Sequence, residues 1–358
     1  MKASTPKVTH NSTGAALILV LGVLSIISIL SMQIIEAANN LSSAQFNQQQ
    51  VQQSYWYAKA GEEYARLITK EYLFKKILLD KHKTLHFPIT DGAINITLKP
   101  LQNCFNINSF SQRSAINVIN RVLFDKVDNP EISGDTPQKK AEQALDENIL
   151  GIPLKRSQLQ ALFSLHDIER NRADFFSDRI IDWLDEDNIP SGNHGAENSY
   201  YASAELPRET PNQHLLIKEE MQHFLANDQQ DFTSVLPLLC SRPGDNKLQV
   251  NINQLDNDSA ILLSAILLEK IDTKTAQSII ENRPEEGFQS LSEFWDLPEF
   301  KDMKISLMQK KALVIENRYF QVESDVSYKE TKFKLVSLIR INTNKKVHVI
   351  SRKYGVNS

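Results

Sequence analysis

The stretch AALILVLGVLSIISILSMQII, Ala15 to Ile35, runs for 21 residues without a charged side chain. As a helix rising ~1.5 Å per residue it covers the ~30 Å hydrocarbon core of a bilayer. It therefore reads as one transmembrane segment, and the chain beyond it is polar throughout. Lys2 and Lys7 precede the run, and after Glu36 the next basic residue is Lys59. That bias keeps the amino terminus in the cytoplasm and places the bulk of the chain outside it. A secretory signal would have an apolar core of roughly 7 to 15 residues and a small-x-small cleavage site. Here the run is longer, and Ile35-Glu36-Ala37-Ala38 puts bulky or charged residues where small ones belong.

Working outward, the leader TPKVTHNSTG ends in Gly14, directly before the apolar run. This arrangement resembles a type IV prepilin leader, which prepilin peptidase cuts between the glycine and the next residue, here Gly14 and Ala15. A plain anchor preceded by a chance glycine explains the same residues. On the other side, Ala37 to about Leu79 contains no proline and one glycine, Gly61. Leu41, Ala44, Val51, Tyr55, Ala58, Ala65, Ile68 and Tyr72 recur mostly by three, four or seven, the period of a helical stripe. The membrane helix is thus expected to continue outward to about Leu79, with a break allowed at Asn39-Asn40 or Gly61.

With 358 residues, 41% hydrophobic and 23% charged, the chain has room for two or three folded domains. A net charge of −4 gives no overall attraction to nucleic acid or anionic membrane. Cys104 and Cys240 are the only cysteines. An even pair outside the cytoplasm suits a disulfide, and two buried thiols suit the sequence equally well.

After Pro88 and the turn at Asp91-Gly92, AINITLKP alternates Ile94, Ile96 and Leu98 with polar neighbours, which predicts a half-buried strand. From about Ser111 to Leu313 the pattern is mostly helical. Breaks are expected at Pro130, Gly134 to Pro137, Gly151 to Pro153, Pro190 to Pro211 and Pro237 to Gly244. Strand character returns at Tyr319 to Tyr328, Lys332 to Asn342 and Lys345 to Lys353, with polar turns at Lys329-Glu330 and Thr343-Asn344. These segments read as an antiparallel meander. The fold class is therefore α+β, a sheet interrupted by a helical insertion of roughly 200 residues.

The insertion carries a more specific pattern: Phe175-Phe176-Ser177-Asp178, IIDWLDEDNIP from Ile180 to Pro190, GAENSYY from Gly195 to Tyr201, LPLLCSRP from Leu236, VNIN from Val250, AQSIIENR from Ala276 and GFQSLSEFW from Gly287. Together with the leader, these residues resemble the minor pseudopilin K family of bacterial type II secretion systems over nearly the whole chain. The resemblance implies a pilin-like fold with this division: a leader at 1–14, a transmembrane and fibre-core helix at 15–36 and the first part of a pilin-like domain at 37–110. A helical insertion follows at 111–313, with a helix-hairpin-helix segment at about 248–300, and closing strands at 314–358. It also implies an inner-membrane subunit facing the periplasm, with minor pseudopilins I and J, other pseudopilins, the inner-membrane secretion platform and prepilin peptidase as partners. Ordinary pilins resemble one another in a glutamate at the fifth mature position, and counting from Ala15 this chain has Leu19 there.

Asp182, Asp185, Asp187 and Glu197 gather carboxylates in a stretch with no Lys or Arg between Arg179 and Arg208. Asp182 and Asp185 stand at i and i+3, on one helix face, and Asp187 falls where a helix should end before Pro190. From the residues alone, a solvated acidic helix end is the simpler reading. The spacing is not that of an EF-hand, since Ile189 occupies the fifth position from Asp185. The resemblance implies calcium in the helical domain, with these four residues as its ligands and a structural role. His166 and His214 are further candidates for the acidic loop.

Two other functions have some footing in the sequence. Asn251 to Arg283 resembles the helix-hairpin-helix units of competence DNA receptors, which grip phosphate through a glycine-containing hairpin. No glycine occurs between Gly244 and Gly287, the hairpin reads Glu269-Lys270-Ile271-Asp272, and acidic residues outnumber basic ones. No nucleic-acid partner is therefore expected. For an enzyme, Asp182 with Glu197 as paired carboxylates is the only arrangement on offer, without a nucleophile motif beside it. Trp183 and Trp295 read as core anchors.

Overall fold

The computed structural model of the chain describes residues 13–75, 83–111, 151–204, 206–342 and 344–356. Residues 1–12 of the expected leader, and 112–150 with the breaks expected at Pro130 and Gly134 to Pro137, lie outside the described residues.

One helix, α1 (Thr13–Lys75), runs 63 residues without interruption, on the order of 95 Å. Residues 17–49 are exposed along its whole circumference, and this helix is long and apolar enough to cross a membrane. The distal half docks on a sheet through Ser54, Ala58, Gly61, Glu62, Ala65 and Thr69, all buried. Steps of four, three and one place them on one face. This face corrects the expected stripe. Ala58 and Ala65 belong to it, whereas Leu41 is 64% exposed and Ala44 is also exposed. Small residues win because the helix lies close to the strands: a Cβ on Gly61 would sit 2.4 Å from Ser324 Oγ.

The sheet has the order β1-β2-β7-β8-β9, antiparallel throughout. Its strands are β1 (Lys83–Ile89), β2 (Gly92–Pro100), β7 (Tyr319–Tyr328), β8 (Thr331–Ile341) and β9 (Val347–Val356). The closing meander matches the sequence pattern, with Lys329 supplying a positive φ of 51° in the β7–β8 turn. The strand over Ala93 to Pro100 is the second of the sheet, not the first. Sequence reasoning missed β1, whose Leu85, Phe87 and Ile89 alternate as a strand requires. Its Pro88 pairs with Ala93 at the sheet edge, where a missing N–H leaves no ladder partner unsatisfied. Ile94, Ile96, Leu98, Phe320, Val322, Val326, Phe333, Leu335, Ile339 and Ile341 form the core beneath α1.

Between β2 and β7 the chain leaves and returns at one end of the sheet, where Leu101 N–H donates to Tyr319 O at 2.9 Å. The insertion is less helical than expected. Its helices are α2 (Gly151–Ser164), α3 (Arg170–Leu184), α4 (Asn198–Ala202), α5 (Gln222–Leu225), α6 (Ile261–Ile266), α7 (Thr273–Glu281), α8 (Leu291–Trp295) and α9 (Leu307–Lys311). Two short parallel pairs hold its ends, β3 (Phe105–Asn106) with β4 (Leu239–Cys240) and β5 (Val250–Asn251) with β6 (Leu313–Val314). Because β3 and β6 pair within the insertion, it begins after Pro100 and ends before Tyr319, not at 111 and 313. Gly151 to Pro153, where a break was expected, are themselves helical and are the first described residues of α2. Cys104 and Cys240 are joined, with Cα atoms 5.8 Å apart. Beside them the buried Arg242 donates to the carbonyls of Lys247 and Gln249 at 2.8 and 2.9 Å, and pairs with Asp245 at 2.9 Å. This knot ties the insertion to the sheet, with Arg242 lying 5.2 Å from the Tyr319 ring.

Under α1, Glu62 is fully buried, yet it accepts from Arg352 at 2.7 and 3.0 Å, from Lys59 at 2.6 Å and from Ser337. Burial alone would raise its pKa, but the bonds from Arg352, Lys59 and Ser337 prevail and hold it at about 2. Folded Glu62 therefore stays ionised down to about pH 2, against 4.5 for a free side chain. Its contribution is complete above about pH 4.5 and fades as pH falls toward 2. Glu62→Gln is expected to cost about 3 kcal/mol at pH 7, the lower end for a broken buried pair, because Arg352 is itself 39% exposed. Urea denaturation at pH 7, 4.5 and 3 should show a shallower acid decline in the variant; equal declines would contradict the assignment.

Candidate functional site

The carboxylates singled out in the sequence meet at the carboxyl end of α3. Ile180, Ile181, Trp183 and Leu184 anchor that helix in the insertion core, with the Trp183 ring 5.3 Å from Tyr201 and 5.8 Å from Phe224. Anchored this way, α3 turns Asp178 and Asp182 inward, each 1% exposed or less. The helix ends at Leu184, earlier than the sequence suggested, and Asp185 caps it with its N–H donating to Ile181 O at 2.9 Å. Asp185 thus lies one residue beyond the helix instead of sharing a regular face with Asp182. The chain then turns through Asp187, whose Oδ1 accepts the Ile189 N–H at 2.8 Å.

A returning loop brings Glu197 back to this end. Asp182 Oδ1 accepts from Ser191 N at 2.9 Å, and Asp178 Oδ2 accepts from His194 N at 3.0 Å. As a result, carboxylate oxygens of Asp185, Asp187 and Glu197 lie within 4.8 Å of one another. Asp182 stands outside that group, close enough to act on it through charge.

Nothing basic balances these groups: among the described residues no Lys or Arg is seen paired with Asp182, Asp185, Asp187 or Glu197. Asp182 Oδ2, Asp185 Oδ1 and both Glu197 oxygens are buried without a hydrogen-bond donor. Burial, then the charges of Asp187, Asp182 and Glu197, push the Asp185 carboxyl up to about 7. Burial and the charges of Asp182 and Asp187 do the same to Glu197, also to about 7. Asp182 is raised by burial, with Ser191 opposing. Buried acceptors without donors are costly, and among the described residues no Lys or Arg offsets these charges. Oxygen-only donors from a helix end and a returning loop fit a hard divalent cation.

The histidines lie elsewhere. His214 Nδ1 accepts from Gly244 N at 2.9 Å, and burial lowers the pKa of His166. Sequence reasoning also overlooked Asp178, although Asp178, Asp182 and Asp185 follow an i, i+4, i+7 spacing that marks one side of a helix.

In the segment read as a helix-hairpin-helix, α6 and α7 are joined through Leu268 and Glu269 at positive φ of 56° and 57°. Of its three basic side chains, Lys274 is exposed, whereas Arg283 and Lys270 are bound to carbonyls. Arg283 donates to Ile252 O and Leu255 O at 2.8 and 3.0 Å, and Lys270 donates to Lys304 O. Arg283 and Lys270 thus close carbonyls within the fold.

Two sequence models of the family described as "Type II secretion system (T2SS), protein K" match residues 103–244 and 250–316, together more than half of the chain. Type II secretion system protein K of Pectobacterium carotovorum subsp. carotovorum is 25% identical over 96% of both chains. Its namesake in Klebsiella pneumoniae is 25% identical over 97% of this chain and 98% of that one. A solved structure, the GspK-GspI-GspJ complex from enterotoxigenic Escherichia coli, contains a chain with the same fold. The match has a TM-score of 0.64 at 23% identity and covers 86% of this chain and 98% of that one. This chain belongs to the type II secretion system protein K family.

Proposed function

We propose that the chain is the tip subunit of a periplasmic pseudopilus and serves a structural role in exporting folded proteins. In this reading prepilin peptidase cuts between Gly14 and Ala15, and α1 first anchors the subunit in the inner membrane. The secretion platform then draws it into a fibre, where related apolar helices cover its exposed face. The observation that carries the reading is the insertion itself, which leaves and re-enters between β2 and β7 at one end of the sheet. A body of that size would crowd a fibre interior and fits at its end. Leu19 points the same way, since an apolar side chain cannot neutralise the terminal amine of a neighbouring subunit as a glutamate would. The partners of first resort are minor pseudopilins I and J, consistent with the complex solved for the Escherichia coli relative.

Two measurements test this assignment. Mass spectrometry of the membrane-extracted protein should give a chain starting at Ala15, and an intact leader would contradict processing. Leu19→Glu should reduce the fraction recovered with I and J at fibre ends, whereas unchanged placement would remove the electrostatic argument.

Calcium is the cation we assign to the acidic pocket, held by Asp185, Asp187 and Glu197 with Asp182 beside them. Bound there, it would supply positive charge to buried oxygens and fix the 185–197 loop; no reaction is attributed to it. Calcium should raise the melting temperature of the wild-type protein, and Asp187→Asn should abolish that rise. Asp185→Asn should do the same while making the calcium-free protein more stable, because a buried repulsion is removed. A calcium-independent melting temperature in the wild type would refute the site.

A further inference from the structure

The returning loop needs something to hold it, and the residue best placed to do so is not among the candidate ligands. Asp178 is buried inside α3, its side chain 1% exposed. Both of its oxygens are engaged: Oδ1 accepts from Arg156 of α2, and Oδ2 accepts the His194 N–H at 3.0 Å. Arg156 also reaches Asp174 at 3.7 Å. Two residues away on α2, Gln158 donates to Ile266 O of α6 at 2.8 Å. The carboxylate of Asp178 is thus a fixed point shared by α2, α3 and the loop.

The loop lies directly on that point. Gly192 has a φ of +58°, and a Cβ there would fall 2.4 to 2.7 Å from the Asp178 carboxylate. Only glycine accommodates both the left-handed backbone and this approach. Glu197 is the third residue after His194, so at ~3.5 Å per residue the His194 anchor confines Glu197 to about 10 Å of it. The His194 N–H bond shares this work with Asp182, which accepts from Ser191 and from the backbone of Ala196, so Asp178 and Asp182 hold the loop from the same helix.

We infer that Asp178 is a positioning residue for the cation pocket, holding the 191–195 loop where Glu197 meets Asp185 and Asp187. The inference rests on the reading of those three carboxylates as a calcium site. Chemistry makes it specific to the carboxylate. An asparagine at 178 has one acceptor oxygen and an NH₂ donor, so it cannot accept from both Arg156 and His194, and one donor meets another.

Groups that orient ligands without touching the ion typically change metal affinity by about 10- to 100-fold when removed. Calorimetric titration of CaCl2 into the detergent-solubilised full chain tests the role, comparing wild type, Asp178→Asn, Gly192→Ala and the ligand variant Asp187→Asn. Melting temperatures in EDTA and in saturating calcium are recorded beside it. Asp178→Asn should bind the same number of ions with at least tenfold weaker affinity, and Gly192→Ala should weaken binding in the same direction. Gly192→Ala decides the matter if Asp178→Asn does not fold. Unchanged affinity in the folded variants, with melting temperature lowered equally in EDTA and calcium, would reduce Asp178 to a structural residue and overturn the inference. No binding in the wild type would overturn the calcium site itself, and the positioning role with it.

Discussion

The pairing of β2 with β7 is the constraint on which the remaining architecture depends. Nine residues of each strand lie in register from Gly92 with Tyr328 to Pro100 with Phe320. Everything between Pro100 and Tyr319 must therefore begin and end at one edge of that ladder. The chain secures this point with covalent and polar links: the Cys104–Cys240 bridge, the buried Arg242 and the β3–β4 pair. Closing so long a loop by a crosslink removes many unfolded conformations, an effect of about 2–5 kcal/mol in small domains. With both strands fixed, α1 has a stable surface to dock on.

Two sets of buried carboxylates show how differently the two halves of the molecule treat charge. Glu62 is surrounded by donors and its pKa falls, so its negative charge holds the helix to β8 and β9. Asp185 and Glu197 are buried beside other carboxylates, and their pKa values rise to about 7. The first arrangement is complete within the chain. The second gathers like charges, which is the ground for the cation proposed there.

Much of this organisation is legible from residue order. The 21-residue apolar run, the alternation at Ile94, Ile96 and Leu98, and the three closing strands announce themselves because each obeys a simple period. Where the local signal is weak, sequence reasoning fails for identifiable reasons. Pro88 disguises β1, although an edge position makes it harmless. The docking face of α1 is hidden because close approach selects Ser54, Gly61 and Thr69 over larger apolar residues. Short helices in the insertion are joined by turns that no period describes, so their extent was overestimated. At the pocket, residue type and clustering were readable, but the end of α3 at Leu184 and the tether at Asp178 depend on contacts with α2 and a loop, which no linear pattern encodes.

The proposed place at the start of a fibre rests on a helix with an uncovered apolar half, a glycine before it and a sheet burdened at one end. The most direct measurement is the number and position of these subunits in isolated pseudopili, counted by a site-specific label in electron micrographs. The account predicts one copy per fibre, at one end. Copies distributed along the shaft would contradict it.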